Sequence, residues 1–107
     1  MVTVTVKKGE QGIAALRVRG HAGYAESGRD IVCAAASTLI TTCANALETV
    51  GGITPKVSQN EADVELSVAL PQGLTQEQAH DAQIILKTIV QGFEDIAQAY
   101  PQNLKIK

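Results

Sequence analysis

The chain opens on strict alternation. Val2, Val4 and Val6 alternate with Thr3, Thr5 and Lys7, the period-two signature of a half-buried strand. Lys8-Gly9-Glu10-Gln11-Gly12 reads as a turn. Alternation then resumes, with Ala14, Leu16 and Val18 against Ala15, Arg17 and Arg19. The pair predicts a β-hairpin. From Gly20 to Arg29 there is no periodicity and three glycines, which predicts a mobile loop. A helical stretch follows from Asp30, a favoured N-cap residue, to about Val50, where Gly51-Gly52 stops it.

A third strand is predicted over Thr54 to Ser58, with a turn at Gln59-Asn60-Glu61. The cleanest alternation in the chain comes next: Ala62, Val64, Leu66, Val68 and Leu70 against Asp63, Glu65, Ser67 and Ala69. Thr75-Gln76-Glu77-Gln78 has the capping-box form, so a second helix starts there. Its apolar stripe is Ala82, Ile85, Leu86, Ile89, Phe93, Ile96 and Ala97. Pro101 closes it, and Leu104 and Ile106 suggest a short last strand. The order ββαββα(β) predicts an α+β two-layer sandwich, a mostly antiparallel sheet packed by two helices. At 107 residues the whole chain, 1–107, reads as one domain.

The two helices differ. The second has one apolar stripe and a charged back. The first contains no Asp, Glu, Lys or Arg from Ile31 to Leu47 and is apolar or small nearly all round. It needs cover on two sides, from the sheet and from either the second helix or another copy, which makes a homodimer the expected assembly. The uncharged run is shorter than the roughly 20 residues of a membrane span and carries Ser37, Thr38, Thr41, Thr42 and Asn45, so no membrane association is expected. The N-terminus lacks the charge-then-apolar order of a signal peptide. The expected location is cytoplasmic, with reduced cysteines.

Composition narrows the function classes. Hydrophobic residues are 45% of the chain and charged residues 19%, enough apolar material for a core. The net charge of -2 and only three aromatics (Tyr24, Phe93, Tyr100) argue against a dedicated nucleic-acid binder. There is no phosphate loop and no dinucleotide-binding glycine pattern. A zinc site from His21, Cys33, Cys43 and His80 has no recognised ligand spacing. No metal or cofactor is expected.

Chemistry therefore rests on few residues. With Asp30 as N-cap, Cys33 is the third helical residue, beside first-turn N–H groups and the positive end of the helix dipole, which favour thiolate. Cys43 lies about 15 Å further along the helix axis, too far for a disulfide, and shares helical spacing with Ala36, Leu39 and Leu47. It reads as core. His21, where a strand runs into the glycine-rich loop, is placed to fold over the helix start. A Cys–His pair lets imidazole take the thiol proton and later protonate the leaving amine, while the helix N–H groups receive an oxyanion. His80 reads as a solvated side chain on the outer side of the second helix, with Gln83 and Lys87. Two readings stay open for Ser37: a back-bond to the Cys33 carbonyl, or positioning of thiolate or substrate. Two also stay open for Asp30: helix cap, or orienter of His21.

Gly20-His21-Ala22, then Gly28, then Asp30-Ile31-Val32-Cys33-Ala34 and Ser37 resemble the ribosomal-processing cysteine protease family, Prp. The specific part runs from Gly20 to Ser37, and the order of elements fits over nearly the whole chain. The resemblance implies a small dimeric cysteine endopeptidase that removes a short N-terminal extension from the twenty-seventh large-subunit ribosomal protein, cleaving after an aromatic residue in a hydrophobic stretch. It implies His21 as general base and Cys33 as nucleophile, with Gly20, Asp30 and Ser37 in support. The loop carrying Ala22, Gly23, Tyr24, Gly28 and Arg29 would gate the substrate. The rival reading is a non-catalytic dimeric ribosome-assembly or protein-binding module in which Cys33 is a packing residue. A thiol-based acyl or redox carrier is a third.

Overall fold

The computed structural model describes residues 1–20, 31–60 and 65–107. Among these residues seven elements run in the order β1 (Val2–Gly9), β2 (Gly12–Arg19), α1 (Ile31–Thr49), β3 (Lys56–Asn60), β4 (Glu65–Ala69), α2 (Gln76–Ala99) and β5 (Leu104–Ile106). The five strands form one sheet in the order β3-β4-β2-β1-β5. Neighbours are antiparallel except β1 and β5, which are parallel. Both helices pack on the same face, and the α+β sandwich expected from the residue pattern is the fold observed.

The core lies between that sheet face and the helices. Val2 and Val4 of β1, Leu16 and Val18 of β2, Val68 of β4 and Leu104 of β5 are all buried. They meet Val32, Ala36, Ile40, Cys43 and Leu47 of α1 and Ala82, Leu86, Ile89 and Phe93 of α2. The α1 residues recur every three or four positions, so they form one stripe. Helix α1 is long and apolar enough to cross a membrane, and its buried stripe packs against the sheet and α2.

Three departures from the sequence pattern have local causes. In β2 the register against β1 slips between Lys7 and Lys8, pairing Lys7 with Ala15 and Lys8 with Ile13. Ala14 is thus the extra residue of a bulge, and the buried position before Leu16 is Ile13, not Ala14. The third strand starts at Lys56 and not Thr54, because Pro55 has no N–H to give a ladder. It also runs on through Gln59 and Asn60, which the sequence reading gave to a turn: Gln59 pairs with Leu66 and Asn60 with Glu65. The N-terminal part of the expected fourth strand, with Ala62 and Val64, lies outside the described residues.

The capping box of α2 is present in full: Gln78 N–H donates to Thr75 Oγ1 at 3.0 Å, and Thr75 N–H donates to Gln78 Oε1 at 3.0 Å. Gln83 is not on the solvent side with His80. Its side chain accepts from Ile13 N–H (2.8 Å) and donates to Ile13 C=O (2.8 Å), tying α2 to the start of β2. Gly12 makes room for it, since a Cβ there would lie 2.4 Å from Gln83 Oε1. The helices approach closely at Gly92, where a Cβ would meet Leu39 Cδ1 at 2.9 Å.

Candidate active site

Helix α1 begins at Ile31, so Cys33 is its third residue. Its first-turn N–H groups are not consumed by the helix itself. Cys33, Ser37 and Thr41 are spaced by four and line one wall of a cleft of about 440 Å³, within the usual range for a ligand site. Val2, Val18, Ala36 and Ile40 supply its apolar surface. Gly20 at the end of β2 also contributes, and Gln59, Asn60, Glu65 and Leu66 form the far wall, where β3 and β4 meet. The cleft thus sits where α1 starts above the sheet, between the helix wall that carries Cys33 and the ends of β3 and β4.

The two cysteines occupy opposite environments. Cys33 is partly exposed in the cleft, whereas Cys43 has no exposed surface. Neither is in a disulfide. Burial raises the Cys43 thiol from its ordinary 9.0 to about 11, because the thiolate would lose its hydration. Cys43 is therefore a packing residue, as its spacing predicted, and only Cys33 is placed to meet a substrate.

Gly20 has a structural requirement of its own. Its φ is +85°, and a Cβ would lie 2.7 Å from the Met1 carbonyl oxygen. Only glycine fits that turn, which delivers the chain from β2 to the cleft. Ser37 is exposed and lines the cleft, and the next residue back-bonds within the helix: Thr38 Oγ1 donates to Ala34 C=O at 2.9 Å. His80 is exposed, with Nδ1 3.4 Å from Asp81 Oδ1, as a solvated histidine would be.

His21 and Asp30 lie outside the described residues, as do Ala22, Gly23, Tyr24, Gly28 and Arg29 of the expected gating loop. The structure thus brings together Gly20, Cys33 and Ser37 of the expected site. It adds Thr41, Gln59, Asn60 and Glu65, which sequence reasoning missed. Thr41 was legible as the next step of a four-residue spacing from Cys33. The other three carried no such signal, because the β3–β4 register brings them in. Among the described residues no cluster of His, Cys, Asp and Glu suits a metal ion.

Comparison with known proteins follows the same line. The family model for cysteine protease Prp matches residues 1–105. The chain is 27% identical over 107 residues to the ribosomal processing cysteine protease Prp of Bacillus subtilis, covering 99% of this chain and 96% of that one. It is 26% identical to the Staphylococcus aureus protein of the same name, covering 99% and 97%. Among solved structures it superposes on S. aureus Prp in complex with a covalently linked product peptide, with a TM-score of 0.84 at 26% identity over 100% of this chain and 98% of that one. SMU.848 from Streptococcus mutans matches with a TM-score of 0.86 at 29% identity, covering 100% and 92%. With the family model spanning nearly its full length, this chain belongs to the Prp family of cysteine proteases.

Proposed function

We propose that this protein is a cytoplasmic endopeptidase that removes the N-terminal extension of the twenty-seventh large-subunit ribosomal protein, with Cys33 as nucleophile and His21 as general base. The observation that carries the reading is the position of Cys33: partly exposed, in the first turn of α1, on the wall of a cleft that Gly20, the residue before His21, also lines. The curated relatives are named as ribosomal processing proteases, and the S. aureus relative holds a covalently linked product peptide.

The chemistry follows from those positions. His21 takes the Cys33 proton, and the sulfur attacks the scissile carbonyl carbon. The new C–S bond leaves a tetrahedral oxyanion, which first-turn N–H groups and the positive helix end stabilise. Collapse breaks the C–N bond as imidazolium protonates the departing amine. The shortened protein leaves as that amine; water, activated by the same imidazole, then hydrolyses the thioester, releases the excised extension as its carboxylic acid and restores the thiol. The apolar surface of Val2, Val18, Ala36 and Ile40 suits a hydrophobic side chain beside the cleaved bond. The reaction draws on no metal or cofactor.

The assembly in this reading is a homodimer. Ala34, Thr38 and Thr42 of α1 are exposed, uncharged and outside the cleft, and Ile31 is 54% exposed, so a face of α1 is left for a second copy. Light scattering should then give twice the 11.2 kDa chain mass. The deciding assay is cleavage of a peptide spanning the extension junction. Wild type should cut it, and Cys33→Ala and His21→Ala should not, with unchanged circular dichroism. A folded Cys33→Ala variant that still cuts overturns the enzyme assignment and returns the chain to a non-catalytic binding module.

A further inference from the structure

The face of the sheet turned away from the helices has no covering layer among the described residues. The register places Lys7 of β1, Arg17 and Arg19 of β2, Lys56 of β3 and Lys105 of β5 on it, all exposed. Between them stand Thr3, Thr5, Ser58 and Ser67. Among the described residues its one carboxylate is Glu65, 3.5 Å from Arg17. The other described carboxylates lie elsewhere, on α1 (Glu48), on α2 (Glu77, Asp81, Glu94, Asp95) and in the β1–β2 turn (Glu10). Among the described residues, then, positive charge gathers on this face and most carboxylates lie away from it.

We infer that this open sheet face binds the phosphate backbone of an RNA duplex. Strands about 4.8 Å apart, and residues rising about 3.4 Å each, spread the five cations over roughly 20 by 13 Å, about the width of a nucleic-acid helix. The hydroxyl rows between them match the donor and acceptor character of ribose 2′-OH groups. A duplex, and not a single strand, is the fitting occupant, because among the described residues no aromatic side chain stands on this face to stack bases: Phe93 is in the core and Tyr100 ends α2. An anionic membrane fits less well, since among the described residues the face offers no large apolar side chain to insert.

The test is fluorescence anisotropy with a labelled RNA duplex of about 16 base pairs, using wild type and the variant Lys7→Gln/Lys56→Gln/Lys105→Gln. These three lysines lie outside the cleft and in no ion pair among the described residues, so peptide cleavage should be unchanged. Wild type should bind in the micromolar range at 50 mM salt and weaken roughly 80-fold by 150 mM, a log–log slope near -4. The triple variant should bind at least about tenfold more weakly, with the slope reduced by about 3. Lys87→Gln, on α2, should change nothing. The inference is overturned by no binding at 50 mM salt, by a triple variant that binds like wild type, or by equal binding to a DNA duplex, polyglutamate or phosphatidylserine vesicles.

Discussion

Alkylation rates separate the two thiols, and the structure sets how far. Cys43 has no exposed surface and its thiol is pushed up to about 11. At pH 7.5 its thiolate fraction in the folded protein is then about 3 × 10⁻⁴, against about 0.1 for an unstructured thiol near 8.5. Reagent also has to reach it. Opening of a domain stable by about 5 kcal/mol or more exposes it for only about 10⁻⁴ of the time. Cys43 should thus label at least about 300-fold more slowly than an unstructured thiol by the first route, and about 10⁴-fold more slowly by the second. Cys33 faces the cleft in the first turn of α1, where the helix end favours thiolate. At pH 6.5 it should outpace glutathione. Iodoacetamide pulses read by peptide mass spectrometry give both rates in one sample, and Cys33→Ala should remove the fast adduct alone. If Cys33 lags glutathione, or if Cys43 labels at a comparable rate, the assignment of one chemical and one packing cysteine is wrong.

Other outcomes follow from particular contacts. Replacing Gln83 by Leu strands the Ile13 N–H and C=O that it pairs at 2.8 Å each; the cost should be about 1–3 kcal/mol, read as a lower midpoint in guanidinium. Gly20→Ala puts a Cβ 2.7 Å from the Met1 carbonyl at a φ of +85°; it should lose both stability and cleavage, whereas Gly73→Ala, strained at +79° but with open space around it, should lose stability alone. The raised Cys43 thiol favours its neutral form when folded, so its contribution is whole below pH 9.0 and disappears as pH rises towards 11, by about 2–3 kcal/mol in all. Wild type should therefore lose more stability than Cys43→Ala between pH 8 and 10.5, and parallel curves would refute that account.

What the sequence made legible is what local pattern encodes. Alternation in β1 and β4, the capping box at Thr75 and Gln78, and the helical spacing of Cys43 each state a preference that the fold then satisfies. The errors share another origin. Ala14 and Ile13 exchange roles because a bulge depends on the partner strand. Gln83 looks like a surface residue because nothing near it in the chain shows that the Ile13 backbone lies in reach, seventy positions away. The far wall of the cleft was invisible for the same reason, since Gln59, Asn60 and Glu65 reach Cys33 only through strand pairing. Charge behaves likewise. Lysines and arginines on four strands look scattered along the chain, and pairing gathers them on one side. The surroundings of Cys33 are legible where one helix end builds them, whereas the far wall of its cleft and the cationic face belong to the sheet.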